Sequence, residues 1–124
     1  MKVDLSKNLE YYKSDKSMPC DCEVCNIYYK NVKNQYPKIA EYLKKLNVDI
    51  LRPFELVWFE NEKDKTIEYE GCQYIVFGQC EDDFTLQIDD VIFENNTSFH
   101  PSTEHIEGNH FVLDFGKIVL SNTL

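Results

Sequence analysis

Three thiols stand within six residues, in the run Cys20-Asp21-Cys22-Glu23-Val24-Cys25. That spacing suits a metal ion or a redox reaction better than it suits a core. Thiolates hold zinc at about 2.3 Å, and a structural site takes four ligands in a tetrahedron. The C-x-x-C pair Cys22 and Cys25 lets two sulfurs converge on one ion from a tight turn. Cys20 adds a third from the extended residues just before it. We therefore expect a zinc site on Cys20, Cys22 and Cys25. Its fourth ligand is not local, and Cys72, Cys80, His100, His105 and His110 are the residues that folding would have to bring in. Two other accounts compete. A C-x-x-C at a helix N-terminus lowers a thiol pKa through the dipole and the amide donors. Here, however, Asp21 and Glu23 flank the thiols and oppose that effect, and no strand precedes them as a thioredoxin-like arrangement requires. In the third account Cys25 and Cys22 pack as small hydrophobes and Cys20 is exposed.

Elsewhere the chemistry-bearing residues are less ordered. His100, His105 and His110 recur every five residues, which matches neither helix nor strand, so they read as loop surface rather than as ligands beside Glu104 and Glu107. Glu81-Asp82-Asp83 and Asp89-Asp90 lack the order of a calcium loop and read as solvated turns. Cys72 and Cys80 flank an apolar run and read as half-buried strand residues. There is no G-x-S-x-G and no H-E-x-x-H, and with Gly at only 4 positions a phosphate cradle is not expected.

The composition bounds the partners. The chain has 124 residues, enough for one domain with an ordinary core, and at 43% hydrophobic it is too apolar for a disordered chain. No apolar run approaches the ~20 residues of a membrane span. Met1 to Asn8 has no apolar stretch of the kind that opens an export signal, so a cytoplasmic home is expected, with reduced thiols. The net charge of −9 is unevenly spread. Residues 1–47 carry nine Lys against six Asp or Glu, or +3, whereas residues 48–124 carry four Lys or Arg against sixteen Asp or Glu, or −12. An acidic half repels phosphate backbones and anionic lipid, so nucleic acid and membrane are excluded as its partners, and it would steer a basic protein instead.

The elements that must position these residues follow from periodicity. Residues 1–19 are polar, with the pair Tyr11-Tyr12, and read as a mobile or loosely docked arm with a short helix near Leu5 to Tyr12. Val24, Ile27, Tyr28 and Val32 share one helical face, and Pro37 is favoured at a first helical position, so two helices are expected, over 22–34 and 37–46. Tyr29 falls off that face and is expected to be exposed. Asn47 is a helix stop. After Pro53 the period becomes two. Glu55 to Glu60 is apolar on both faces and looks like a covered strand. Thr66 to Gly78 reads as one long strand or as two segments bent at Gly71, where a bulge is expected. Phe84 to Ile88, Val91 to Phe93, Phe111 to Phe115 and Ile118 to Leu120 complete the strands, and 95–109 is a loop. Helices first and strands afterwards predict an α+β fold, with the helices packed on one face of a mostly antiparallel sheet. The whole of 1–124 is expected to be one domain.

The run Pro19 to Tyr29, together with Arg52-Pro53-Phe54-Glu55 and Gln73-Tyr74-Ile75-Val76-Phe77-Gly78, resembles a family of small bacterial proteins, mostly of Gram-positive gut and soil species. The similarity spans about residues 9–115. That family has no assigned activity, so the resemblance implies a bacterial single-domain protein and supplies no catalytic residues.

Three functional readings remain. The first is a protein-interaction module, immunity- or adaptor-like, that binds a basic protein through the acidic region 48–124. The second is a small zinc-binding module built on Cys20, Cys22 and Cys25. An enzyme without a familiar signature comes last, and the absence of any catalytic motif favours a non-enzyme.

Overall fold

The computed structural model describes residues 1–122. In chain order the elements are β1 (Lys2–Val3), α1 (Leu5–Lys13), α2 (Glu23–Gln35), α3 (Pro37–Lys45), β2 (Glu55–Asn61), β3 (Thr66–Gln79), β4 (Thr85–Ile88), β5 (Val91–Asn95), β6 (His110–Gly116) and β7 (Ile118–Ser121). A short 3₁₀ turn at Asp15–Ser17 follows α1. The helices are N-terminal and every strand pairing is antiparallel, so the fold is α+β, as helices followed by alternating strands predict. Among the described residues no helix is long and apolar enough to cross a membrane.

The long strand β3 is the spine. It pairs with β2 on one side, and with β6 and β7 on the other, in a single register that runs from Phe77 opposite His110 to Thr66 opposite Ser121. β5 and then β4 extend the sheet beyond β6. The β2–β3 register slips by one residue between Val57 and Trp58, opposite Tyr69 to Gly71, which is the expected bulge. One face of β3 presents Ile67, Tyr69, Cys72, Tyr74 and Val76, all buried in the main core with Val24, Ile27, Tyr28 and Val32 of α2 and Ile39 and Leu43 of α3. Pro37 opens α3, and Asn47, in the left-handed region at φ 58, turns the chain out of it. Tyrosine hydroxyls inside this core are paired: Tyr28 meets Tyr74 at 2.7 Å and Tyr74 donates to Ile50 O at 2.6 Å. Cys72, expected to be half-buried, is fully buried here.

The other face of β3 is covered only at one end, where Ile75, Phe77 and Val112 pack with Tyr11, Phe54 and Ile106. Toward β7, among the described residues, Val57, Phe59 and Val119 on that face are exposed.

The N-terminal segment is not a loose arm. β1 pairs with Gly78 and Gln79, and α1 seals the gap on the edge of β3 between β1 and β2. There the N–H of Phe77 donates to Asn8 Oδ1 (2.7 Å), the N–H of Asp4 donates to Phe77 O (2.9 Å), and Tyr12 Oη donates to Ile75 O (2.6 Å). Asn8 is fully buried and also donates to Leu46 O (2.9 Å). The docking uses polar side chains as a stand-in for a strand, so it leaves no apolar period to read. A second expectation also fails. β2 is an edge strand, not a covered one: only Leu56 is buried, while Val57, Trp58 and Phe59 are 40–48% exposed.

Candidate metal centre

The three thiols meet where the sequence sets them, at the N-terminus of α2. Pro19 to Asp21 lead into the helix without regular structure, and Cys22, with extended backbone, is its N-cap. The backbone N–H of Cys25 donates to Cys22 Sγ at 3.4 Å, so sulfur takes the place usually held by a Ser or Asp oxygen. Cys25 lies in the first turn of the helix with its side chain buried, whereas Cys20 and Cys22 are exposed. The three sulfurs all lie within 4.8 Å of one another. Ligands about 2.3 Å from one ion at tetrahedral angles lie about 3.8 Å apart, so a small closing motion suffices to bind one. Cys20, Cys22 and Cys25 are thus close enough to hold a metal ion.

The surroundings fix the arrangement. Tyr29, one turn beyond Cys25, donates its hydroxyl to Cys20 O at 2.9 Å and so holds the residues before Cys22 against the helix. It is partly buried rather than exposed, and the half of the helix it covers is the half with the thiols. Tyr69 of β3 donates to Val24 O at 2.7 Å and ties the first turn of α2 to the sheet. Neither tyrosine was legible as part of a site. Tyr29 stands four residues after Cys25, a spacing that does place it over the cluster once the helix is known.

The electrostatics divide the thiols. Cys22 is pulled below the usual thiol range, chiefly because the Cys25 thiol hydrogen-bonds its sulfur, with smaller contributions from the Cys25 N–H, the Cys20 thiol and the Val24 N–H. Cys25 is pushed strongly up, first by burial and then by its bonds to the other two sulfurs. The Tyr29 phenol is also raised, by burial and by the sulfurs beside it. The thiolate of Cys22 is therefore favoured and that of Cys25 is not. A cation removes that conflict by neutralising all three, and the α2 dipole favours the negative charge.

Among the described residues the cluster has three members. Cys72 lies in the main core beside Tyr28 and Tyr74, with its thiol pushed up by burial. Cys80, partly buried, lines a separate open cleft of about 600 Å³ with Asp82, His100 and His110, so neither the cysteines nor these histidines supply the fourth ligand. His100 and His110 each hold Nδ1 against a backbone carbonyl, of Pro101 at 2.8 Å and of Gly108 at 2.7 Å. His105 is not among the residues that line that cleft. No family model, curated protein or solved structure matches the chain.

Proposed function

We propose that this protein is a small metal-binding module in which the thiolates of Cys20, Cys22 and Cys25 hold one zinc ion at the N-terminus of α2. The observation that carries this reading is the approach of all three sulfurs to within 4.8 Å of one another. Soft thiolates select zinc or copper(I) over hard cations, and a capped helix turn closed by Tyr29 is a rigid frame for a tetrahedral ion. Because Cys20 and Cys22 face solvent, the fourth position is filled from outside the chain, by water or by a donor on another molecule. The reading places the protein in a reducing compartment such as the cytoplasm, where free thiols persist.

Chelator-free purification from zinc-supplemented cells, followed by metal quantification, tests it. The expectation is about one zinc per chain, lost when the thiols are replaced together by serine. Metal-free protein from zinc-replete cells would reject the module.

A further inference from the structure

The open part of the second sheet face carries an ordered pattern of charge that the thiol site does not use. Strand register puts Glu55 opposite Gln73, Gln73 opposite Asp114, and Asp114 opposite Glu94. Carboxylates thus occupy three of the four places in one row across β2, β3, β6 and β5. The next row sets Val57 opposite Gly71 and Gly116 opposite Ile92, and the β3–β6 register brings the two glycines side by side. Its middle has no side chains, and its ends are Val57 and Ile92, 48% and 51% exposed. A Cβ on Gly71 would sit 3.3 Å from Asp114 Oδ1 and 3.5 Å from Val57, so a larger residue here would fill the space between those two side chains. A third row holds Phe59, Glu68 and Val119. Phe99 stands 86% exposed on the loop whose carbonyl accepts from Gln73 and Asn96 beside the carboxylate row.

Like charges on neighbouring strands repel, and this row contains no cation. The nearby Lys117 is already paired with Glu68 at 3.2 Å. Asn96 and Gln73 donate to Asp114 Oδ2 at 2.8 and 3.5 Å, yet the Asp114 carboxyl is still pushed above its ordinary range, by burial first and by Glu94 as well. In the same row Gln73, only 2% exposed, has a side-chain oxygen with no donor. A buried acceptor without a donor is costly, and here it lies between two carboxylates. The outer carboxylates of the row, Glu55 and Glu94, are exposed, while the buried oxygen of Gln73 lies beneath them. An arginine answers the charge of the row. Its guanidinium brings positive charge and five donors in a fork that fits carboxylates, and its apolar stem suits a trough. A second copy of this face would bring carboxylates against carboxylates.

We propose that this open face is a docking surface for a segment of a basic protein, which sets an arginine on the Glu55–Asp114–Glu94 row and apolar side chains along the Val57–Ile92 trough and against Phe99. The proposal is independent of the metal site and fits an adaptor- or immunity-like role.

The test is amide shift mapping on isotope-labelled full-length protein, titrated with an acetylated peptide that alternates arginine and leucine. Saturable shifts are expected at Gly71, Ile92, Glu94, Asn96 and Gly116. The same peptide with lysine for arginine should bind more weakly, and one with glutamate should not bind. Glu94→Gln, an exposed change that spares the fold, should weaken binding, and Glu94→Gln with Asp114→Asn should weaken it about tenfold. Asp82→Asn with Asp83→Asn removes the same charge elsewhere and should change affinity less than about twofold. Equal losses in the two double variants, equal binding of the lysine peptide, shifts confined to other surfaces, or no saturable shift up to millimolar peptide would each overturn the proposal. So would a dimer by sedimentation whose amide shifts on dilution map to this face.

Discussion

Asn8→Ala should be among the most destabilising single changes outside the apolar core, although residue 8 lies in a segment whose composition reads as solvent-exposed. The native side chain uses both ends of its amide: Nδ2 donates to Leu46 O at 2.9 Å and Oδ1 accepts from Phe77 N–H at 2.7 Å. Alanine leaves that carbonyl and that N–H in a site that is 0% exposed in the native protein. Each orphaned buried group costs about 1–3 kcal/mol, so the pair sets a range of about 2–6 kcal/mol. The volume freed by the amide can admit a water that satisfies part of both, which favours the lower half, about 3 kcal/mol. In urea, with a slope of about 1–3 kcal/mol/M, that is a fall in midpoint of about 1–3 M with the slope unchanged. The Asn8→Asp variant separates hydrogen bonding from packing. It keeps the acceptor for Phe77 but turns a carboxylate oxygen toward Leu46 O. It should be at least as unstable at neutral pH and recover part of the loss in acid, where a protonated carboxyl can donate. A loss below about 0.5 kcal/mol for Asn8→Ala, the size of an ordinary surface change, would refute the view that α1 seals the edge of β3.

Three further outcomes follow from the same structure. Gly78→Ala should undock β1, because Gly78 sits at φ 131 and a Cβ there would collide with the carbonyl of Lys2; hydrogen exchange at Asp4, whose N–H donates to Phe77 O, should lose its protection, and unchanged protection would contradict the pairing. Stability should fall in alkali, because burial raises the phenols of Tyr12, Tyr28 and Tyr74 and the thiol of Cys72 above their unfolded values. Raised acids contribute fully below the unfolded pKa and lose that contribution as pH rises toward the folded one, so the melting temperature should begin to drop above about pH 9, and a flat profile to pH 11 would count against those buried phenols. Partial alkylation read by mass spectrometry should modify Cys22 ahead of Cys25 and Cys72, because its thiol is lowered while theirs are raised; early labelling of Cys25 would contradict the geometry of the cluster.

The elements with a strong apolar period were the legible ones. The stripe Val24, Ile27, Tyr28, Val32 and the proline at 37 place α2 and α3 within a residue or two, and β3 to β7 follow from alternation. What periodicity could not show was burial that depends on neighbours. β2 carries Val57, Trp58 and Phe59 in a row, which reads as a covered strand, but among the described residues it pairs with β3 alone and lies at the edge of the sheet. The docking of α1 rests on Asn8 and Tyr12, polar groups that give no signal until the unpaired stretch of β3 is known. The thiol cluster was legible because all three ligands are local and a helix cap brings local residues together by itself. Tyr29 and Tyr69 were missed, since each acts on a backbone carbonyl and not on a thiol. The acidic half was visible as a net charge only. Its arrangement into a row across four strands depends on register, which composition does not contain.

The most direct test of the metal site is a cobalt(II) titration of reduced protein, followed by displacement with zinc. Three thiolates on one ion should give a strong near-ultraviolet thiolate-to-cobalt band that saturates at about one equivalent and disappears when zinc is added. Cys22→Ser should lower the band by about a third or abolish binding, whereas Cys80→Ser, which removes a thiol outside the cluster, should leave it unchanged. A wild-type protein that gives no thiolate band, or one whose band survives in the variant lacking Cys20, Cys22 and Cys25 together, would contradict the site.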